Sequence, residues 1–127
     1  MSDTQDNPES LLAAIDLGSN SFHLIIAKSD FGELRPVQAL AEKVQLGETS
    51  SAAMLTPGAI ERGLACLERF KQLIDSTAPA KLRIVGTNAL RRAKNRQDFI
   101  EPAEQILLES VHNIGRFAAE QAVIDVS

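Results

Sequence analysis

The sequence has no tryptophan and no tyrosine, only one cysteine among its 127 residues, and no long apolar run. One cysteine cannot form a disulfide within the chain. The apolar runs at 11–15 and 22–27 are too short to cross a bilayer, and the first ten residues are polar and acidic, unlike a signal peptide. These absences predict a cytoplasmic protein without a membrane span.

Acidic residues outnumber basic residues by 17 to 13, which gives a formal net charge of −4. General attraction to polyanions is therefore not expected, no nucleic-acid partner is predicted, and a phosphate-rich ligand would need a local concentration of positive charge. The sequence has one, because residues 81–97 contain six basic residues and no acidic residue: Lys81, Arg83, Arg91, Arg92, Lys94 and Arg96. A ligand surface and a merely solvated face both fit this stretch.

The segment 11–28 organises the rest of the chain, because it consists of two apolar runs joined by a small polar bend, Gly18-Ser19-Asn20-Ser21. The runs are predicted to pair as a hairpin, with Gly18 relieving the steric restriction at the bend. Backbone N–H groups and hydroxyls would then meet at one tip as an anion nest, beside the carboxylate of Asp16. A carboxylate repels phosphate unless it holds a cation or positions water, so the pattern suggests a phosphate loop with a metal at Asp16. A plain turn without a ligand fits the same spacing.

The remaining pattern predicts one domain that follows a disordered leader at residues 1–10. A third strand is expected at 34–44, and a helix at 57–76 after the cap residue Thr56. A strand at 81–87 leads into a short turn or helix, and a further helix is expected at 97–109. Pro102 marks either the real start of that helix or a kink.

Several segments resemble the exopolyphosphatase/guanosine pentaphosphate phosphatase family of the actin, hexokinase and Hsp70 ATPase superfamily. Residues 14–24, Ala-Ile-Asp-Leu-Gly-Ser-Asn-Ser-Phe-His-Leu, are similar to the first phosphate motif of that family. Segments 43–48, 56–70 and 85–95 are similar to three further family segments, so the resemblance covers roughly residues 12–107. The sequence departs at Gln45, where the family usually has arginine.

The resemblance implies an α/β fold, an incomplete ribonuclease H-like (actin-like ATPase) domain at 11–108 with the order βββαβα. Residues 109–127 are expected to form a divergent or truncated tail that is helical in part. In the family a fifth strand and another helix complete this domain, and here that last strand is expected to be missing. An open sheet edge and an uncovered apolar face would favour a homo-oligomer or another partner chain.

The resemblance also implies a function, namely release of terminal phosphate from inorganic polyphosphate or guanosine pentaphosphate by metal-assisted attack of water. The family pattern gives the roles of phosphate ligands to Gly18, Ser19, Asn20, Ser21 and Arg91, and of a Mg²⁺ ligand to Asp16. The family's catalytic Glu-Glu motif and its second phosphate motif are both absent, which leaves Glu109 and Glu120 as weak candidates for the catalytic base. The alternative is a catalytically inactive fragment that binds phosphate or a partner chain only.

Overall fold

The computed structural model describes residues 11–47, 53–114 and 123–126, which build a five-stranded mixed sheet. The strands are β1 (Leu11–Leu17), β2 (Ser21–Asp30), β3 (Glu33–Lys43), β4 (Lys81–Gly86) and β5 (Ile124–Val126). Their order across the sheet is β3-β2-β1-β4-β5, with β1, β2 and β3 antiparallel and the pairs β1–β4 and β4–β5 parallel. The predicted α/β class and the order of the first six elements are confirmed.

Two long helices, α1 (Pro57–Thr77) and α3 (Gln97–Ile114), cover one face of the sheet, and a short helix, α2 (Asn88–Arg92), follows β4. Side chains alternate between the two faces along each strand, as the pleat requires. Ala13, Ile15 and Leu17 of β1 therefore lie in the core, whereas the residues between them do not. One continuous core lies between the helices and this face of the sheet.

Helix α1 begins where the sequence predicts, because the Thr56 hydroxyl accepts a hydrogen bond of 3.1 Å from the Ala59 N–H. About two turns into this helix, Gly63 allows α3 to approach closely. A Cβ at this position would lie 2.7 Å from Cε1 of Phe99. The Phe99 ring in turn packs edge-on against Phe22 of β2, with the ring centroids 5.9 Å apart. A glycine and two aromatic rings thus set the spacing between both helices and the sheet.

The single cysteine belongs to this packing and has no sign of reactivity. Cys66 is fully buried, and desolvation together with the nearby Glu42 carboxylate raises the pKa of its thiol to about 12. A thiol with so high a pKa is protonated at neutral pH and is not a nucleophile. Glu42 itself accepts two hydrogen bonds from Arg69, at 2.6 and 2.7 Å, which tie α1 to β3.

The tail differs from the expectation in one respect. The last strand was expected to be missing, but Ile124–Val126 forms β5 and pairs with β4 along Ile84–Gly86. Three residues carry too little periodicity to be identified from the sequence, and their strand exists only because β4 offers a parallel partner. Helix α3 begins at Gln97, so Pro102 lies inside the helix and does not start it. The predicted leader at 1–10 lies outside the described residues.

The second face of the sheet is not covered by the described helices. It carries a groove of about 610 Å³ whose lining includes the apolar side chains of Leu12, Ile25, Leu34 and Val123. Ile25, Leu34 and Val123 are 44%, 63% and 55% exposed, which is unusual for large apolar side chains. None of the helices in the described part of the chain is long and apolar enough to cross a membrane.

Candidate functional site

The loop between β1 and β2 turns tightly, and Gly18 makes that turn possible. A Cβ on Gly18 would lie 2.8 Å from the carbonyl oxygen of Ser21, closer than real Cβ contacts come. Asp16 pairs with His23 and Leu17 with Phe22 on either side of the loop. The predicted hairpin is therefore confirmed.

The segment that follows β3 folds back onto this loop. The N–H groups of Val44 and Gln45 donate to the Asn20 carbonyl at 2.9 and 2.8 Å, and the Gly47 N–H donates to the Ser19 carbonyl at 2.7 Å. These bonds use the carbonyl groups of Ser19 and Asn20 and hold the loop against residues 44–47.

Helix α1 holds the same segment from its other side. The Arg62 guanidinium donates through Nε to the Val44 carbonyl at 2.8 Å. The next residue, Gln45, is exposed and has a positive φ of 55°, a left-handed conformation that is uncommon outside glycine. Hydrogen bonds from two elements thus fix the position at which the family usually has arginine.

The carboxyl ends of the parallel strands β1 and β4 meet beside the loop. The Thr87 hydroxyl, one residue after β4, donates to the Leu17 carbonyl at 3.1 Å, and the Thr87 N–H reaches the same oxygen at 3.3 Å. Helix α2 begins at the next residue, so its side chains emerge next to the Gly18–Ser21 loop. Ligand sites of open α/β sheets lie at such carboxyl ends.

A cavity of about 330 Å³ opens between the loop and α2. Its described lining is formed by Ser19, Gly47, Ala53, Asn88, Ala89, Arg92 and Ala93. The volume lies at the lower end of the range for small-ligand sites. The described lining contains one basic side chain and no carboxylate, so the cavity suits an anion.

Helix geometry decides which side chains of α2 reach this cavity. Residues four apart in a helix lie on one face, so Asn88 and Arg92 share the face that lines the cavity. Arg91 is not among the lining residues, but it lies one turn after Asn88, and its Nη2 donates to the Asn88 Oδ1 at 2.6 Å. The structure thus brings Ser19, Asn88 and Arg92 together and places Arg91 beside them. Asn88 and Arg92 were not among the predicted site residues, although their spacing of four within the basic stretch 81–97 is a signal that the sequence contains.

Asn95 fixes the loop that precedes α1 next to the same cavity. Its Oδ1 accepts from the Leu55 N–H at 2.7 Å, and its Nδ2 donates to the Leu55 carbonyl at 3.1 Å. The Lys94 N–H also donates to the Ala53 carbonyl at 3.2 Å. These bonds attach residues 53–55 to the segment that follows α2, so one wall of the cavity is held in place.

The predicted catalytic and metal residues are dispersed. Asp16 is exposed on the uncovered face of the sheet, near the carboxyl end of β1. Glu109 lies 3.4 Å from the amine of Lys71, which is in the second half of α1. The second half of α1 leads toward Ala80, whose N–H donates to the Leu11 carbonyl at the start of β1. The Gly18–Ser21 loop follows the other end of β1, so Glu109 is not brought to the loop. Glu120 lies outside the described residues.

Comparisons with known proteins agree with this arrangement. The sequence pattern of the Ppx/GppA phosphatase family matches residues 25–114. The chain is 38% identical over 125 residues to the guanosine-5'-triphosphate,3'-diphosphate pyrophosphatase of Pseudoalteromonas atlantica, covering 97% of this chain and 25% of that protein. The chain therefore belongs to the Ppx/GppA phosphatase family.

Solved structures give the same family and fold. The crystal structure of the Aquifex aeolicus Ppx/GppA family member superposes with a TM-score of 0.74 at 28% identity, covering 92% of this chain and 34% of that one. An exopolyphosphatase from Cytophaga hutchinsonii superposes with a TM-score of 0.70 at 26% identity, covering 91% of this chain and 33% of that one. The chain thus spans about a quarter to a third of the length of these relatives.

Proposed function

We propose that this chain carries the part of a cytoplasmic phosphoanhydride phosphatase that holds the terminal phosphate of inorganic polyphosphate or guanosine pentaphosphate. The observation that carries the proposal is the position of the Gly18–Ser21 loop at the carboxyl ends of β1 and β4, next to the basic helix α2 and at the edge of a cavity. The names of the relatives support this substrate class.

In the proposed complex the terminal phosphate lies on the loop formed by Gly18, Ser19, Asn20 and Ser21. The hydrogen bonds from residues 44–47 to the Ser19 and Asn20 carbonyls, which hold the loop at the edge of the cavity, support this placement. Arg91 adds positive charge, which stabilises the charge that develops on the phosphoryl oxygens as water attacks phosphorus in line with the leaving oxygen.

Asp16 is proposed as a Mg²⁺ ligand. The described residues contain no cluster of three or more His, Cys, Asp or Glu side chains that could hold an ion by themselves. A single exposed carboxylate fits Mg²⁺ nevertheless, because this ion is usually bound by one or two carboxylates together with water and substrate phosphates. When bound, Mg²⁺ would neutralise phosphate charge, and Asp16 would fix its position relative to the loop.

The second candidate is a chain that binds phosphate without hydrolysing it. Two observations favour it, namely the absence of a carboxylate from the described lining of the cavity and the pairing of Glu109 with Lys71 away from the loop. The relatives are three to four times as long, so their remaining chain is available to supply a base. Binding and hydrolysis are therefore separate tests.

Replacing Arg91 by alanine is expected to weaken the binding of short-chain polyphosphate by a factor of about 10 to 100, since a charge-assisted hydrogen bond contributes roughly 1.5–3 kcal/mol. The loss should be larger at low salt because ions screen charge pairs. Isothermal titration calorimetry at two salt concentrations measures both effects. Lys81→Ala, which removes the same charge at the start of β4, is the matched control. Equal affinities for Arg91→Ala and the control would remove Arg91 from the site.

We also propose that the isolated chain self-associates through the groove on the uncovered sheet face. The exposed fractions of Ile25, Leu34 and Val123 support this, since monomers rarely expose contiguous apolar surface of this kind. Light scattering should show a mass above 13.7 kDa that falls toward this value in Ile25→Lys. Phe31→Lys, which changes an equally apolar side chain at the β2–β3 turn, should leave the mass unchanged. A monomeric parent chain with a sharp, reversible melt would contradict the proposal.

A further inference from the structure

The contacts proposed for one terminal phosphate involve only a small part of the lining of the cavity beside the loop. The terminal phosphate is assigned to the Gly18–Ser21 loop, and of those four residues only Ser19 also lines the cavity. Most of the lining belongs to α2 and to the segments around Gly47 and Ala53. Space for a second group therefore adjoins the loop, with Ser19 at the boundary between the two.

The positive charge in this space comes from Arg92. Arg91 and Arg92 are consecutive, so their side chains leave α2 about 100° apart. Arg91 bonds to Asn88 near the start of the helix, whereas Arg92 lies in the cavity wall. Arg92 is thus the basic side chain of the described cavity lining, whereas the Arg91 guanidinium contacts that lining through Asn88.

The contact with Arg91 also orients the Asn88 amide. Because Nη2 of Arg91 donates to Oδ1 of Asn88 at 2.6 Å, this oxygen is directed at the guanidinium. The opposite corner of the amide is the NH₂ group, which can only donate. Asn88 is therefore prepared to offer a donor, and not an acceptor, to a ligand in the cavity that it lines.

We propose that this cavity binds the penultimate phosphate of a linear polyphosphate chain, with the Arg92 guanidinium and the Asn88 amide NH₂ as its donors. This rests on the proposed function, in which the Gly18–Ser21 loop holds the terminal phosphate. Arg92 and Asn88 then determine specificity for substrates with consecutive phosphates. Arg91 has a positioning role toward Asn88 in addition to its own proposed contact with the terminal group.

The test compares the affinities of the full chain for orthophosphate and for tripolyphosphate by isothermal titration calorimetry. Arg92→Ala should weaken tripolyphosphate binding about tenfold or more and leave orthophosphate binding unchanged, because only the longer ligand reaches the cavity. Arg92→Lys keeps the charge and should recover part of the affinity. Lys81→Ala, remote from the cavity, should change neither ligand.

Asn88→Asp gives an independent test with almost no change in shape. The carboxylate retains an acceptor for Arg91 but replaces the NH₂ donor by a second negative oxygen. Tripolyphosphate binding should fall at least tenfold, with an unaltered thermal melt and circular dichroism spectrum. Asn88 is exposed, so the change is compatible with folding.

Three outcomes would overturn the inference. Equal weakening of both ligands by Arg92→Ala would assign Arg92 to the terminal phosphate, and unchanged tripolyphosphate binding in Arg92→Ala and Asn88→Asp would remove the second subsite. Either result leaves the proposed function intact, since orthophosphate still binds the parent chain. Failure of the parent chain to bind either ligand would overturn the proposed function and the subsite together.

Discussion

Phosphate release from long-chain polyphosphate by the isolated 127-residue chain is expected to be at least about 10²- to 10⁴-fold slower than by a full-length family member, even with Mg²⁺ present. This range is the usual contribution of a general base, and the described lining of the cavity offers no carboxylate for that role. The resemblance implies a second phosphate motif that this sequence does not contain, and without it the rate should fall further because that segment would orient the substrate and exclude water.

The measurement is the initial rate of phosphate release by purified chain, beside Asp16→Ala as a control and the Cytophaga hutchinsonii exopolyphosphatase as the active reference. A slow rate that is the same in parent and control supports a chain that binds without catalysis. Rapid release that disappears in Asp16→Ala would show that the chain contains its own base. Glu120→Gln would then test the remaining candidate base, with Glu109→Gln as the comparison because Glu109 pairs with Lys71 away from the loop.

Replacing Phe99 by alanine is expected to lower the free energy of unfolding by about 3–5 kcal/mol, the usual cost of removing a buried phenyl ring. Phe99 is completely buried, packs against Phe22 and contacts α1 at Gly63. Its loss leaves a cavity at the point where both long helices meet the sheet. For a domain of ordinary stability this is a large part of the total.

Phe31→Ala provides the matched control, because the same substitution there removes a side chain that is 99% exposed. Its effect should be within about 0.5 kcal/mol of zero. Urea denaturation followed by circular dichroism measures both values. Similar losses in the two variants would mean that the core between α1, α3 and the sheet is not packed as described.

Much of the fold follows from local sequence. The hairpin of β1 and β2 is predictable because two apolar runs of strand length flank Gly18, and α1 is predictable because Thr56-Pro57 precedes an apolar stripe. In both, the signal lies within a few residues along the chain. β5 is different, since its three residues become a strand only by pairing with β4.

The candidate site also has parts that the sequence predicts and parts that only the tertiary structure shows. The loop Gly18–Ser21 and the basic character of α2 are readable in the sequence, because each is one continuous segment. The folding of residues 44–47 onto Ser19 and Asn20 is not readable, since it joins groups that are distant in sequence. The choice of Arg92 over Arg91 as the cavity residue depends on the rotation of a five-residue helix.

The sequence by itself thus determined the class of fold, the order of the first six elements and the family, because these depend on local periodicity and on continuous motifs. Only the tertiary structure decided that Ser19, Asn88 and Arg92 share one cavity and that Glu109 pairs with Lys71 elsewhere. The physical reason is that strand pairing and helix packing bring the ends of β1 and β4 together across about 70 residues of chain, and no pattern within either segment specifies the other.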